Sequence, residues 1–294
     1  MTDTSDWLRA RPIMRRLLMP GILLRRAIYV RPMQKYQLAL RARLLRRVIG
    51  GTVTFDLSEF RGKFDVGIRS DVTTRVMFEG AYEREYAKRC SEVIDRERDA
   101  IDVGANVGFY TVLMASCLGA GRRVLSLEPT PKAYELLRRN VEQNHMSQKV
   151  IACQIAATAR DGEETINVCV DREEYSSAGP VIHHSAAGSV VQSLVVPAAM
   201  LDTLCAKYTL KPGFLKIDVE GYEYQVLLGA SHILKEFRPT ILIELYDDLL
   251  RACGSSTSEV IAWLRTMGYR IFSAEGSSYE TGRSYEGYAL AMPR

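Results

Sequence analysis

At 294 residues and 47 % hydrophobic content, the chain has material for one large domain, or one domain with an extension, around a proper core. Its formal charge of +4 is unevenly spread: residues 1–50 hold twelve Arg/Lys and two Asp, leaving 27 basic against 33 acidic residues beyond them. A net-acidic body excludes a whole-surface nucleic-acid footprint, so no nucleic-acid partner is expected, and no apolar run reaches transmembrane length.

Residues 1–50 read as basic amphipathic helical pieces, the longest running from Met33 to Ile49. Arginines and Pro20-Gly21 interrupt any signal-peptide core. An arm of this kind lies on the anionic inner face of a membrane as a peripheral contact, or packs as a helical cap on the body or a partner subunit. The two readings stand even. Residues 51–294 read as the main domain. Short strands are expected at Thr52–Phe55, Phe64–Ile68 and Arg75–Phe78, then a helix from Glu79 to Ile94.

The central stretch is Asp99-Ala-Ile-Asp-Val-Gly-Ala-Asn-Val-Gly-Phe-Tyr-Thr111. Ala100, Ile101 and Val103 make a short apolar run, as in a strand covered on both faces. Gly104 and Gly108 bracket a turn in which the backbone bends sharply and a ligand approaches closely. The helix that follows offers free N–H groups and a positive dipole end. The glycines are spaced G-x-x-x-G, and Asn106 stands where a dinucleotide binder has its middle glycine, which argues against an NAD-dependent oxidoreductase. Asp102, just before the turn, repels a phosphate and suits an ammonium group. Glu128 closes the next strand-like run, Arg123–Leu127, where a carboxylate accepts both hydroxyls of a ribose. Ribose, ammonium and no phosphate together point to S-adenosylmethionine.

Further along, helices are expected at Phe109–Leu118 and Pro131–Asn144, and strands at Val150–Ile155 and Thr165–Val170. Small residues from Ala156 to Thr158 leave room for an adenine ring. Tyr82 and Glu83, upstream of the glycine turn, are placed over the methionine end of the cofactor. Residues 171–192 are polar and turn-prone, a candidate acceptor lid in which His183 or His184 has a pKa suited to a general base. Leu194–Pro197 is a strand and Met200–Tyr208 a helix. Phe214-Leu-Lys-Ile-Asp-Val-Glu-Gly-Tyr-Glu223 repeats the strand-turn-helix pattern, with Lys216 and Asp218 on one face and Asp218 at the strand's end. Thr240–Leu245 is another core strand carrying Glu244. A helix over Ser256–Met267 and a closing antiparallel pair, Tyr269–Ala274 and Tyr288–Ala291, complete the chain. The six cysteines lie at least sixteen residues apart with no Cys-x-x-Cys, the usage of a reduced, cytoplasmic protein without a zinc site.

Several of these motifs occur together in one family. Asp102-Val-Gly-Ala-Asn-Val-Gly108, Glu128-Pro-Thr-Pro131 with Asn140 and Asn144, Ala156 ahead of Asp161-Gly162, and Lys216-Ile-Asp-Val-Glu-Gly-Tyr-Glu223 resemble the FkbM-type methyltransferases, as do Gly80-Ala-Tyr-Glu83 and Ile243-Glu244. The resemblance covers residues 75–245. It implies the class I methyltransferase fold, a Rossmann-like, seven-stranded, mostly parallel α/β sheet with an antiparallel last strand. It implies S-adenosylmethionine as methyl donor, with S-adenosylhomocysteine as product, and a hydroxyl acceptor on a sugar, glycolipid or polyketide-type molecule.

On this reading Tyr82, Glu83, Asp102, Gly104, Ala105, Asn106, Gly108, Glu128 and Ala156 hold the cofactor. Asp218 is the first candidate for the base that an alcohol acceptor needs, with His183, His184 and Glu244 behind it. No metal site is expected. Asp218, Glu220 and Glu244 would have to converge to ligate Mg2+, which is the less favoured reading. The runner-up function is a membrane-docked scaffold or binding module with a methyltransferase-like fold and no turnover, in which the arm is the working part.

Overall fold

The computed structural model describes residues 51–170, 175–180, 190–273 and 286–294. The basic arm and His183 and His184 lie outside these residues. No helix among the described residues is long and apolar enough to cross a membrane.

A hairpin opens the described chain. Strands β1 (Thr52–Leu57) and β2 (Gly62–Gly67) pair antiparallel across a 3-10 turn at Ser58–Phe60. Two helices follow, α1 (Asp71–Glu79) and α2 (Arg84–Val93). The expected strand at Arg75–Phe78 is therefore wrong, and so is the single helix from Glu79. The Ser70 side chain caps the N–H of Val72, and Gly80 ends α1 in the left-handed region at φ 74°. Val72, Thr73 and Val76 face the core at helical spacing, so packing overrides the strand preference of these β-branched residues.

The main sheet contains β3 (Asp99–Val103), β4 (Val124–Leu127), β5 (Val150–Cys153), β9 (Pro212–Ile217), β10 (Thr240–Tyr246), β11 (Tyr269–Ser273) and β12 (Glu286–Pro293). Their order is β11-β12-β10-β9-β3-β4-β5. β5, β4, β3, β9 and β10 run parallel, and β12 is antiparallel to both its neighbours. This is the class I methyltransferase arrangement. β3 and β9 are buried at every position, the reason they read as unbroken apolar runs apart from their functional residues. Helices α3 (Phe109–Cys117) and α4 (Pro131–Gln143) follow β3 and β4, and α5 (Leu201–Tyr208) and α6 (Glu223–Leu228) flank β9. Short helices α7 (Ser231–Glu236) and α8 (Asp247–Ala252) bracket β10, and α9 (Thr257–Thr266) precedes β11. A second sheet, order β6-β8-β7, is made by β6 (Ala156–Ala157), β7 (Gly162–Cys169) and β8 (Val191–Ala199).

The hairpin is held to the body by aromatic and amide contacts. Phe60 stacks on Phe109 with centroids 5.1 Å apart, and Phe64 meets Phe109 edge-on at 4.8 Å. Each such pair adds about 0.5–1.5 kcal/mol beyond burial. Asn140 on α4 and Asn144 at its C-cap, one turn apart, act as a surrogate strand for β2. Asn140 accepts from the N–H of Asp65 (2.7 Å) and donates to its carbonyl (3.0 Å), and Asn144 does the same for Lys63 at 2.8 and 2.7 Å.

Candidate active site

A cavity of about 580 Å³ opens above the carboxyl ends of β3, β4, β9 and β10. It lies where the strand order reverses between β3 and β9, the place an open α/β sheet offers to ligands. Gly104 sets the geometry there. At φ 72° it occupies the left-handed region, and a Cβ on it would stand 1.8 Å from the carbonyl oxygen of Asp218. Three non-glycine residues of the cavity wall share that backbone region: Glu83, Asn106 and Glu220. Such strain gathers at sites where the surroundings over-determine it.

Gly104, Ala105, Asn106, Glu128, Ala156, Tyr82 and Glu83 all line the cavity. Glu128 ties two loops together: one carboxylate oxygen accepts from the N–H of Asn106 at 2.8 Å, the other from the N–H and hydroxyl of Thr130 at 2.9 and 2.7 Å. Gly108 does not reach the cavity. It starts α3 at φ 92°, where a Cβ would stand 2.7 Å from Leu137 Cδ1. Asp102 is turned away as well, because parallel register sets it beside Lys216. It is fully buried, accepts from the Thr111 hydroxyl at 2.6 Å and lies 3.8 Å from the Lys216 ammonium. The ammonium that Asp102 faces is thus the chain's own.

The acceptor end is built by strand register. Asp218 follows β9 directly, β9 pairs with β10, and Glu244 of β10 stands opposite Tyr288 of β12. The Tyr288 hydroxyl donates to Asp218 Oδ2 at 2.5 Å, and Lys216 Nζ lies 3.1 Å from the same oxygen. Lys216 also donates to the Gly104 carbonyl at 3.2 Å and sits 5.1 Å from the Tyr110 ring. Tyr110 donates to Glu83 at 3.0 Å. Burial works against the charge on Lys216, but Asp218 and Asp102 outweigh it and hold its pKa above the usual value. Burial likewise works against the charge on Asp218, yet the Lys216 ammonium and the Tyr288 hydroxyl keep its carboxyl below the usual range. Glu244 goes the other way. Burial first, then the charges of Asp218 and Glu220, push it well above that range. The two neighbouring carboxyls are thus driven in opposite directions by their surroundings.

Sequence spacing put Lys216 and Asp218 on one face, but it gave Lys216 no role and passed over Tyr288. A lysine inside the buried strand β9, Pro212–Ile217, is the signal that was available, since a buried cation demands a partner. Tyr288 carried no such signal. Asp218, Glu220 and Glu244 do converge, with one oxygen of each within 4.8 Å of the others. The Lys216 ammonium already answers Asp218 there.

The fit to a nucleoside cofactor follows from the donor set. Glu83, Glu128, Asp218 and Glu244 line the cavity, whereas among the described residues its cations are Arg75 and Lys216, and Lys216 is bound to carboxylates. A pyrophosphate finds little to pair with. A ribose diol and a positively charged sulfonium are complemented. The sequence matches the family described as "Methyltransferase FkbM domain" over residues 102–271, more than half of the chain. No curated protein matches the chain significantly. Similar solved structures include the methyltransferase FkbM of Methylobacillus flagellatus KT, 17 % identical with a TM-score of 0.41 over 67 % of this chain and 44 % of that one. The match therefore spans less than half of that protein. Precorrin-6y C5,15-methyltransferase of Geobacter metallireducens GS-15 is 12 % identical, with a TM-score of 0.40 over 73 % of this chain and 89 % of that one. A SAM-dependent O-methyltransferase of Thermotoga maritima is 9 % identical, with a TM-score of 0.41 over 72 % and 66 % respectively.

Proposed function

The chain belongs to the FkbM methyltransferase family, and on that premise we propose that it methylates a hydroxyl of a sugar, glycolipid or polyketide-type molecule with S-adenosylmethionine as donor. The observation that carries this reading is the wall between Glu128 and Asp218: rich in acceptors, poor in cations, and ending on an ionised carboxylate. When bound, the donor supplies a methyl group already activated by the positive sulfur.

The chain's own residues do the rest. Glu128 holds the ribose hydroxyls, while Gly104, Ala105 and Asn106 bring the backbone close beneath the ligand. Asp218 orients the acceptor hydroxyl and takes its proton, a role open to a carboxylate that Lys216 and Tyr288 keep ionised. Glu244, whose carboxyl burial and the neighbouring charges of Asp218 and Glu220 push up, lines the same oxygen cluster. Tyr82 and Glu83 close the near side. With the methyl donor activated, positioning supplies much of the rate.

The test is transfer of labelled methyl from S-adenosylmethionine to a panel of glycans and glycolipids, comparing wild type with Asp218→Asn. Turnover should fall about 100-fold or more, with the dissociation constant for S-adenosylhomocysteine within about twofold. A variant with wild-type turnover removes Asp218 from the mechanism.

A further inference from the structure

One cation of the cavity has no work in the scheme above. Arg75, on α1, lines the wall and is an exposed residue. Its guanidinium carbon sits 4.8 Å over the ring of Tyr82. Tyr82 in turn packs against Phe109, the first residue of α3, with centroids 5.4 Å apart. The stack Arg75–Tyr82–Phe109 therefore holds the guanidinium at the glycine-loop end of the cavity. Stacking uses the face of a guanidinium and leaves its N–H edges for a ligand.

We infer that Arg75 binds a carboxylate of a ligand in this cavity, and that the carboxylate is the one on the amino-acid arm of the methyl donor. The inference rests on the donor reading above. Its basis is exclusion by charge. Glu83, Glu128, Asp218, Glu220 and Glu244 all line the wall, so a ligand carboxylate is repelled almost everywhere within it. Lys216 does not serve, because it is 3 % exposed and lies between Asp218 and Asp102. Arg75, near Glu83 and Glu79 but exposed where Lys216 is enclosed, is the remaining cation among the described residues, and its planar fork matches a carboxylate with two parallel hydrogen bonds. S-adenosylmethionine carries one carboxylate, at the end opposite the adenine. With its ribose at Glu128, such a ligand would have this arm for the rest of the wall, which includes Tyr82, Glu83 and Arg75. An acidic acceptor is the other source of the same chemistry.

The experiment is calorimetry on the full chain with two thioether nucleosides. S-adenosylhomocysteine has the amino-acid arm, and 5′-methylthioadenosine lacks it. Arg75→Gln should weaken S-adenosylhomocysteine by about tenfold or more and leave 5′-methylthioadenosine unchanged. Arg75→Lys should recover part of the loss, since it restores charge without the fork. Thermal melts verify that the variants fold, as expected for an exposed side chain. Galacturonate titrated into protein saturated with S-adenosylhomocysteine distinguishes the source. If Arg75→Gln abolishes galacturonate binding and spares S-adenosylhomocysteine, Arg75 is a carboxylate site for the acceptor and the assignment to the donor arm is wrong. If the variant changes neither, the inference is overturned while the donor reading stands. If wild type binds neither nucleoside, the donor reading fails and this inference falls with it.

Discussion

Lys216→Met tests the charge arrangement on which the site depends. The substitution keeps most of the volume and the apolar stem but removes the ammonium. In the wild type that ammonium is 3.1 Å from Asp218, 3.8 Å from Asp102 and 3.2 Å from the Gly104 carbonyl, at 3 % exposure. Removing one partner from a buried ion pair costs about 3–5 kcal/mol, because the other charges stay buried without compensation. The pH dependence carries the sharper signature. Asp218 has its folded pKa below the ordinary value, so it adds stability above the unfolded pKa and loses it as the pH falls. Asp102 already lies above its ordinary value, because burial outweighs Lys216. Without Lys216, burial dominates at both carboxyls and both pKa values rise. Their effect is then to lose stability as the pH rises through those values. The gap between wild type and variant should therefore widen from about pH 5 to about pH 8. Urea denaturation at the two pH values reads it directly. A gap under about 1 kcal/mol at the higher pH, or one that does not change with pH, refutes the reasoning.

Gly104→Ala should cost about 2–5 kcal/mol in the same assay, from the left-handed backbone and from a Cβ 1.8 Å from the Asp218 carbonyl oxygen. A variant within about 0.5 kcal/mol of wild type would mean that the loops at β3 and β9 do not meet as described. Glu223→Gln should do the opposite. Burial pushes the Glu223 carboxyl up to about 7, while one of its oxygens accepts from the N–H groups of Val219 and Gly221 at 3.1 Å. An acid with a raised folded pKa gives its full contribution below the unfolded value and loses it as the pH rises toward 7. The amide keeps an acceptor and sheds the charge. It should match wild type near pH 4 and exceed it by about 2–3 kcal/mol near pH 8. Melting curves across that range that run parallel for the two proteins contradict the assignment.

Much of this architecture was readable because local and tertiary preferences agree. Ala100, Ile101 and Val103 are buried on both faces of a central strand, so their apolar run has one structural meaning. The turn at Gly104 and the carboxylate at Glu128 lie at strand ends, and strand ends are where this sheet opens. Arg75–Phe78 failed for the converse reason. Its β-branched neighbours favour a strand, yet Ser70 and the Val72–Val76 face make a helix once there is a core to pack against. Asp102 and Gly108 were placed at the right strand end and helix start but with the wrong facing, because spacing along a chain does not say that Lys216 or Leu137 will stand beside it. The trio Asp218, Glu244 and Tyr288 depends on the register of three strands separated in sequence. No pattern within one of those strands contains it.

The central claim is that the cavity between Glu128 and Asp218 holds a sulfonium nucleoside. Calorimetry of the full chain with S-adenosylhomocysteine, and with NADH as control, addresses it most directly. The account predicts binding of S-adenosylhomocysteine alone, lost in Glu128→Ala. Binding of NADH instead, or of neither compound, contradicts it.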